Sequence, residues 1–404
     1  MTCRRRKSKF EGLDPFFELT ATKTGSGSPD SRAPGSRARA GILHTSHGDI
    51  PTPVFMPVGT AGAVKAVSPR GVKEAGAKII LGNTYHLYLR PGCDLIDKAG
   101  GLHRFASWDG AMLTDSGGFQ VWSLETLRTI TEAGVEFRSH IDGSKHLFTA
   151  ESVMEAQRKI GADIIMAFDE CTPYPSTPEQ AKHSLALTQR WTERALEWLG
   201  KNPERHGYRQ HFFGIVQGGM HLDARARAIE HIAAMDTPGI ALGGLSVGEP
   251  AEIMYEVAGH CTALMPPGKP RYVMGVGTPS NLLTLVGLGV DMFDCVLPTR
   301  NARNGTVFTW DGPLHYKAAR HAQELDQPLD RRCSCYACKN FSRAYLRHLF
   351  VAGEILALEL ATLHSLHFYQ DLMREARAHI VAGDYDTWSA ELLARWATPE
   401  VRGA

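Results

Sequence analysis

The chain has 404 residues, 43% of them hydrophobic and 22% charged, and its formal net charge is +1. This composition is typical of a globular protein with a large core, and it excludes a strongly basic coat protein without excluding a local basic groove. Eight cysteines are too few for a disulfide scaffold, and no apolar run approaches the ~18 residues of a membrane helix. No secretory signal is recognisable, so we expect a cytoplasmic protein.

Residues 1–36 differ in composition from the rest of the chain. A basic run near the N-terminus is followed by Thr22–Ala40, which is rich in Gly, Ser, Pro and Arg. Such a segment buries too little apolar surface to offset the entropy of ordering the chain, so we predict a disordered basic extension. Phe16, Phe17 and Leu19 leave open a short docking segment within it.

Apolar runs and amphipathic segments alternate from about residue 41 onward. Apolar runs without polar alternation predict buried parallel strands at Lys78–Leu81, Ile164–Phe168, His211–Val216, Ile240–Leu242, Tyr272–Met274 and Met292–Val296. Helical periodicity and capping residues predict helices at Glu151–Ile160, Thr177–Trp198, Leu222–Ala234 and Asn281–Leu288. A repeated series of this length favours an α/β fold, a (β/α)8 TIM barrel, over an open sheet.

Polar residues and paired glycines directly follow three of these strands. Asp169 follows IIMAF, Gln217 follows HFFGIV, and Gly243 and Gly244 follow IAL. In a (β/α)8 barrel the active site lies at the carboxyl ends of the strands. There an aspartate could accept from N1–H and N2–H of a purine and a glutamine could donate to O6, with glycines leaving a narrow slot. We expect a pocket for a planar base.

The motif TDSGGFQ contains an aspartate before two glycines. The glycines would let the backbone approach a ligand closely, so Asp115 is a candidate general acid/base. A helix N-cap turn, with Asp115 or Ser116 as the cap, is the alternative interpretation.

The motif FDCVLPTRNARNG places Asp294 inside an apolar strand. An unpaired buried carboxylate is costly, and function is the commoner reason for keeping one. Arg300 and Arg303 follow in a turn-like stretch that suits phosphate contacts, with a surface salt-bridge loop as the alternative.

Cys333, Cys335 and Cys338 have the spacing of metal ligands rather than of a disulfide. Zinc prefers four such ligands in a tetrahedron, and three cysteines with one histidine would leave no open position, which predicts a structural site. Free cysteines in a loop are the alternative. The spacing does not choose the fourth ligand among His348, His364, His367 and His379.

Together these motifs resemble those of the bacterial tRNA-guanine transglycosylase (queuine tRNA-ribosyltransferase) family. The resemblance covers roughly residues 38–385 and rests on TPVFMPVGTAGAVK, LGNTYHLYLRPG, TDSGGFQV, FDEC, GIVQGG, LGGLSVGE, YVMGVG, MFDCVLPTRNARNG and CSCYACKNFSRAYLRHL. It implies a catalytic TIM-barrel domain over 37–404 with an inserted or C-terminal zinc-binding subdomain at about 330–385.

The resemblance also implies an activity. Members are pentosyltransferases that exchange guanine at wobble position 34 of tRNAs with a GUN anticodon, those for aspartate, asparagine, histidine and tyrosine. In bacteria the incoming base is 7-aminomethyl-7-deazaguanine (preQ1), and the exchange passes through a covalent enzyme–RNA intermediate in queuosine biosynthesis. Such a retaining exchange requires a carboxylate nucleophile and a second carboxylate that handles protons.

Residue roles follow from the same resemblance. Asp294 resembles the nucleophile that attacks ribose C1′, and Asp115 resembles the general acid/base. The other residues that resemble base contacts are Ser116, Gly117, Gly118, Phe119, Asp169, Gln217, Gly244, Leu245 and Met274. Among these, Phe119 and Met274 resemble the two faces of a base sandwich, and Leu245 would offer its carbonyl to the aminomethyl group.

The resemblance extends to tRNA and metal. The residues that resemble tRNA contacts are Gly275, Val276, Gly277, Thr278, Pro279, Ser280, Asn281, Thr299, Arg300, Asn301, Ala302 and Arg303. The family pattern selects His364 as the fourth ligand of one structural Zn²⁺ per subunit, and it implies a homodimer.

Two details refine this interpretation. Ser280 and Asn281 stand where relatives usually carry Glu-Asp, and either could still cap the following helix. Val247 and Cys171 match the bacterial pattern, which favours preQ1 over the larger queuine.

A non-catalytic tRNA-binding subunit is the main alternative function, but it would be expected to lack the paired aspartates that this chain retains.

Overall fold

The computed structural model of the chain describes residues 15–22, 36–123 and 128–397. Its strands are β1 (Phe17–Thr22), β2 (Arg39–Thr45), β3 (Gly48–Thr52), β4 (Val54–Pro57), β5 (Ile79–Gly82), β6 (Ala111–Thr114), β7 (Arg128–Ile130), β8 (Val135–Arg138), β9 (Lys145–Phe148), β10 (Ile164–Met166), β11 (His211–Val216), β12 (Gly239–Leu242), β13 (Arg271–Val273), β14 (Met292–Cys295), β15 (Val307–Thr309) and β16 (Gly312–Leu314).

The helices of the same residues cover the strands or extend from them. They are α1 (Pro69–Glu74), α2 (Thr84–Leu89), α3 (Cys93–Lys98), α4 (Leu102–Ala106), α5 (Gly118–Ser123), α6 (Ala150–Ile160), α7 (Pro178–Lys201), α8 (Leu222–Ala234), α9 (Ala251–Leu264), α10 (Pro279–Gly287), α11 (Leu297–Arg303), α12 (Tyr336–Asn340), α13 (Arg343–Ala352), α14 (Ile355–Ala382) and α15 (Tyr385–Ala397). No helix of the described residues is long and apolar enough to cross a membrane.

Eight parallel strands form a closed barrel. They neighbour one another in the order β4, β5, β6, β10, β11, β12, β13 and β14, and β14 pairs in parallel with β4. A parallel bridge between Val58 and Leu81 joins β4 to β5. The predicted (β/α)8 class is confirmed. Two barrel strands, β4 and β6, were not among the predicted strands, and β4 begins directly after Pro53, which interrupts the apolar pattern.

The alternation of side chains along the barrel strands directs polar residues to the mouth. Met292 packs in the cluster that fills the barrel, whereas the neighbouring Phe293 packs in a cluster with the surrounding helices. Because side chains alternate along a strand, the next residue, Asp294, faces the inside again. Asp115 and Gln217 likewise stand two residues after an inward-facing residue of their strands.

A three-stranded antiparallel sheet, β1–β2–β3, packs against the amino end of the barrel. The ring of Phe16 stacks on His211, the first residue of β11, with 3.9 Å between centroids, and Phe17 is buried. The prediction of disorder over 1–36 is therefore wrong for residues 15–22, because these aromatic side chains gain a hydrophobic surface to cover. The rest of the extension up to residue 35 lies outside the described residues.

The predicted helices form with the expected caps in all but one case. Thr149 and Thr177 both form capping boxes, at the starts of α6 and α7. The cap of α10 is Thr278, whose hydroxyl accepts from the Asn281 N–H at 3.3 Å. The expectation that Ser280 or Asn281 would cap this helix is wrong, since the helix begins at Pro279, which is pre-organised for the first helical position.

A subdomain is inserted between the last barrel strand, β14, and the helix α14, which packs on the first barrel strand. Residues of β15, β16, α12 and α13 share a separate small core with the start of α14, including Leu360 and Ala361. Further along α14, Tyr369 packs on Phe55 of β4 at 4.6 Å between ring centroids, and Gln370 donates to the Phe55 carbonyl at 3.0 Å. One helix therefore belongs to both the subdomain core and the barrel.

Candidate active site

Asp294 lies on the inner side of β14 at the carboxyl end of the barrel and is mostly buried. Its Oδ1 accepts hydrogen bonds from the Tyr272 hydroxyl at 2.6 Å and from the Gly275 backbone N–H at 2.8 Å. Its Oδ2 has no hydrogen-bond partner among the described residues. Both donors stand on or just after β13, so the neighbouring strand holds one oxygen of the carboxylate in place and offsets part of its burial cost.

Asp115 directly follows β6 and is held by residues that follow the neighbouring strand, β5. Its Oδ1 accepts from the backbone N–H groups of Thr84 at 2.9 Å and Gly117 at 3.2 Å. Its Oδ2 accepts from the side-chain amide of Asn83. The carboxylate therefore closes a local turn at Gly117, which lies before α5 rather than capping it, and also makes long-range contacts that fix its position in the mouth.

Asp169 and Gln217 lie side by side in the floor of the mouth, and both are buried. Gln217 Nε2 donates to Asp169 Oδ2 at 2.6 Å, and the Ser116 hydroxyl donates to Asp169 Oδ1 at 3.3 Å. A Cβ on Gly118 would lie 2.7 Å from the Asp169 carbonyl, so only glycine fits there. The Gln217 amide N–H₂ faces Asp169, and its buried Oε1 has no hydrogen-bond partner among the described residues. Its expected donation to a base stays a prediction.

The loop after β12 forms the next part of the wall. Gly244 has φ +63°, and a Cβ there would lie 2.6 Å from Gln217 Oε1, so the loop can approach Gln217 only with glycine. Leu245 and Cys171 are buried, whereas Val247 is partly exposed. The wall is therefore mostly apolar at Cys171 and Val247, the two positions from which the sequence analysis inferred the size of the base.

Phe119 and Met274, the predicted faces of a base sandwich, stand on different elements at this end of the barrel. Phe119 is the second residue of α5, and half of its surface is exposed. Met274 directly follows β13 and packs partly against the cluster inside the barrel. Both side chains offer apolar surface at the mouth.

Burial raises the pKa of all three mouth carboxyls. The pKa of Asp115 rises to about 7, mainly through burial, with the nearby charges of Asp294 and Asp169 adding to the effect. The pKa of Asp169 rises to about 6 because of burial, although its bonds to Gln217 and Ser116 oppose the rise. The pKa of Asp294 is also raised by burial, and the Tyr272 and Gly275 donors counteract this. A carboxyl with a pKa near neutrality, such as Asp115, can both give and take a proton.

The predicted tRNA-contacting residues divide into exposed and buried groups. Gly275 and Arg300 are exposed, and the partly exposed residues are Thr278, Ser280, Asn281, Asn301 and Arg303. The buried residues are Val276, Gly277, Pro279, Thr299 and Ala302. The side chains of the buried group have no surface for an RNA, because they pack into the protein. Arg300 and Arg303 lie on α11 rather than in a turn, and neither forms a salt bridge within the described part of the chain.

Cys333, Cys335, Cys338 and His364 converge, with all four ligand atoms within 4.8 Å of one another. His364 Nδ1 lies 3.3 Å from Cys338 Sγ and 3.7 Å from Cys335 Sγ. His364 is completely buried, and its Nε2 lies 3.0 Å from the Phe308 carbonyl, an acceptor. Since Nε2 then carries the proton, the Nδ1 lone pair points at the thiols, which is the arrangement of a histidine that binds a metal. The four side chains could hold one metal ion and fit zinc.

His367 is the nearest competitor for this position. Its Nδ1 lies 3.6 Å from Cys333 Sγ, but it also lies 3.1 Å from Asp371 Oδ2 and outside the convergent group. The geometry therefore favours His364, which spacing alone could not choose.

Three residues that hold the carboxylates were not predicted. Tyr272 binds Asp294 from 22 residues away, and Asn83 and Thr84 bind Asp115 from more than 30 residues away. One signal was present in the sequence, because Asn83 directly follows the strand IILG, as Gln217 follows its own strand. The pairing of Tyr272 with Asp294 depends on β13 and β14 being neighbours, which no local pattern indicates.

Comparison with known proteins gives a consistent result. The family model described as queuine tRNA-ribosyltransferase matches residues 34–398. A queuine tRNA-ribosyltransferase of Caldanaerobacter subterraneus subsp. tengcongensis is 59% identical over 345 residues, which are 85% of this chain and 90% of that protein. Proteins of the same name from a Thermoanaerobacter species and from Symbiobacterium thermophilum are 58% and 53% identical, over 87% and 91% of this chain and 91% of each relative.

Proposed function

Since this chain belongs to the queuine tRNA-ribosyltransferase family, we propose that it is a tRNA-guanine transglycosylase of queuosine biosynthesis. The observation that carries the proposal is the pair of carboxylates, Asp294 and Asp115, held by different strands at one barrel mouth beside the buried pair Asp169 and Gln217. This is the equipment that a retaining exchange at a nucleoside C1′ requires.

In the first half of the reaction Asp294 attacks ribose C1′. The Tyr272 and Gly275 donors hold its Oδ1, which leaves Oδ2 free to form the new C–O bond as the C1′–N9 bond breaks. Electrons of the broken bond go to guanine, and Asp115 supplies the proton that the leaving base takes up. The raised pKa of Asp115, to about 7, keeps a substantial protonated fraction near neutral pH.

The second half reverses these roles with a new base. Asp115, now ionised, removes the proton from the incoming base, whose nitrogen attacks C1′ and displaces Asp294. Two displacements at one carbon retain its configuration. Because the base must leave its stack to reach the pocket, the single-stranded anticodon loop is a favourable substrate.

Base recognition rests on Asp169 in the floor of the pocket. Its carboxylate is suited to accept from N1–H and the 2-amino group of a guanine-like base, as both oxygens already accept from neutral donors. The backbone of Gly244 and Leu245 would contact the opposite edge and the aminomethyl group. Buried Cys171 and partly exposed Val247 support preQ1 as the incoming base rather than queuine.

The partners follow from the same assignment. We propose that the tRNA has a GUN anticodon, that guanine 34 is exchanged, and that the exposed Arg300 and partly exposed Arg303 contact phosphates. We also propose one Zn²⁺ held by Cys333, Cys335, Cys338 and His364, which would stabilise the subdomain and take no part in the reaction. A homodimer acting in the cytoplasm, where mature tRNA is abundant, completes the proposal.

A base-exchange assay tests the proposed function. Purified protein is incubated with radiolabelled guanine and a tRNA carrying a GUN anticodon, beside the same tRNA with adenine at position 34. Label should enter only the first tRNA, and unlabelled preQ1 should compete more strongly than queuine. Absence of label from the GUN tRNA would contradict the activity, and equal competition by queuine would contradict the assignment of the base.

A further inference from the structure

Arg225 of α8 is completely buried beneath the loops that follow β11 and β12. Its guanidinium donates to carbonyls of both loops. The bonds are Nε to Gly219 at 2.8 Å, Nη1 to Val216 at 2.7 Å, Nη1 to Gly243 at 2.8 Å and Nη2 to Gly244 at 3.4 Å. One planar group therefore joins the loop after Gln217 to the loop that forms the wall of the pocket.

Burying the Arg225 guanidinium in this way costs free energy, so its presence needs an explanation. Among the described residues Arg225 has four carbonyl partners and forms no salt bridge, so its buried positive charge is compensated mainly by carbonyl dipoles, with a longer-range attraction to Glu249. Burying a charge without a counter-charge is unfavourable unless several hydrogen bonds compensate it. A leucine or methionine would fill the same space under the loops at lower cost, so packing does not account for an arginine here.

The direction of the carbonyls sets the direction of the neighbouring amides. In a trans peptide the C=O of one residue and the N–H of the next point in opposite directions. Because Arg225 draws the Gly243 carbonyl downward, the Gly244 N–H points away from α8, on the side where Gln217 borders the pocket. This N–H has no hydrogen-bond partner among the described residues.

We propose that Arg225 is a positioning residue that aims the Gly244 N–H at the six-position oxygen of the bound base. The inference rests on the proposed function, since it assigns one contact within that base pocket. Arginine suits this role because its rigid fork of donors can hold several carbonyls at once, whereas a lysine ammonium is a point charge on a flexible stem. Arg225 would thus contribute to the choice of base without touching it.

The test compares guanine with 2-aminopurine, which lacks the six-position oxygen. Inhibition constants for both bases are measured in the exchange assay for wild type and for Arg225→Lys. Wild type should bind 2-aminopurine at least about tenfold more weakly than guanine, because 2-aminopurine lacks both the six-position oxygen and the N1–H that faces Asp169. The loss of N1–H is the same in wild type and variant, so a change in the ratio of the two constants reports on the oxygen. Arg225→Lys should bind guanine about tenfold more weakly, 2-aminopurine nearly unchanged, and tRNA with an unchanged KM.

Arg271→Lys is the matched control. Arg271 is also buried and donates to two backbone carbonyls, those of Met265 at 3.0 Å and Gly289 at 3.2 Å, but it stands at the amino end of β13, away from the mouth. Its replacement should lower the melting temperature and leave the ratio of the two inhibition constants at the wild-type value.

Three outcomes would overturn the inference. They are a wild type that binds 2-aminopurine as tightly as guanine, a folded Arg225→Lys with the wild-type ratio, and failure of both Arg225→Lys and Arg225→Gln to fold, which would make the role purely structural. Failure of wild type to exchange labelled guanine at all would instead contradict the proposed function.

Discussion

At the scale of single residues, Asp115 and Asp294 occupy one mouth with different hydrogen-bond partners. Asp115 accepts bonds on both oxygens, whereas Asp294 accepts on one. A fully bonded carboxylate keeps its orientation through a proton transfer, while a carboxylate with one free oxygen can form a covalent bond. The geometry thus supports different roles for two chemically identical side chains.

The covalent step gives a direct prediction. With Asp294→Asn, tRNA binding should persist and the protein–RNA adduct should disappear from denaturing gels, because the amide is too weak a nucleophile. With Asp115→Asn, adduct should form very slowly, because the leaving base receives no proton. Wild type with a base analogue that stalls the second half provides the positive control. Adduct formation by Asp294→Asn would show that the attacking group lies elsewhere.

The raised pKa values predict how stability depends on pH. The pKa of Asp115 is about 7 in the folded protein and that of Asp169 about 6, both above the value of 3.8 for an ordinary aspartate. A carboxyl whose pKa is raised on folding destabilises the fold as pH rises from its unfolded pKa through its folded pKa. We therefore expect the free energy of unfolding to fall between about pH 4 and pH 7, by at most about 1.4 kcal/mol per unit of pKa displacement.

Urea denaturation at pH 5 and pH 8 measures this dependence. Asp115→Asn should lose less stability between the two pH values than wild type does, because it has one fewer buried carboxyl to ionise. An exposed carboxyl provides the control, and Asp109→Asn should retain the wild-type dependence. A wild type equally stable at both pH values would argue against the raised pKa values.

Local sequence patterns predicted the residues that would take part in binding and catalysis better than the residues that form hydrogen bonds with them. Asp169 and Gln217 could be anticipated because each follows a predicted strand, and strand ends meet at one face of a barrel, whereas Asp115 was identified from its glycine motif. Tyr272 could not, because its contact with Asp294 crosses two neighbouring strands. The orientation of the Gln217 amide could not be predicted either, since its hydrogen bond with Asp169 determines it.

At the scale of elements, α14 connects the cluster of three cysteines and His364 to the barrel. His364 stands in the middle of this helix, between residues that pack in the subdomain core and residues that pack on β4. If the cluster holds the proposed zinc, loss of that ion would affect both parts. The subdomain is therefore expected to unfold together with the helix layer rather than alone.

Metal analysis with paired variants tests the ligand set. Cys335→Ser and His364→Ala should each lose about one zinc ion per chain and lower the melting temperature by several degrees, because metal binding contributes to folding. Cys261→Ser, at a buried cysteine of α9, and His367→Ala should keep the metal. Freshly purified protein without zinc, or metal loss in His367→Ala as large as in His364→Ala, would contradict the assignment.

At the scale of the whole molecule, the class of fold was predictable because the βα series repeats, and repetition survives errors in single elements. The sheet β7–β8–β9 was not predicted, and neither was the sheet β1–β2–β3, whose first strand lies in the segment that was predicted to be disordered. Within each sheet the strands pair with their neighbours in the sequence. The N-terminal strand also needs the amino end of the barrel to cover, and no local pattern indicates that surface.

Two truncations separate the strand from the residues before it. Removal of residues 1–14 should leave stability and turnover unchanged. Removal of 1–22 should lower stability by roughly 3 kcal/mol, because Phe16 and Phe17 leave the amino end of the barrel, as in large-to-small core substitutions. Turnover by the folded fraction should persist in both, because the active site is at the opposite end. Equal stability of both truncations would show that β1 contributes nothing.

Because α14 covers β4, the first barrel strand cannot complete its packing until the ribosome has synthesised this late helix. Phe55 and its partner Gln370 are separated by 315 residues, so the first barrel strand waits for most of the chain to be translated. At 5–20 residues per second this interval lasts roughly 15 to 60 s. During it, the aromatic side chain of Phe55 stays uncovered, and the edge of β4 stays unpaired until β14 has been synthesised. A nascent chain released before residue 370 would lack the part of the helix that covers β4, and we expect such fragments to depend on chaperones or to aggregate.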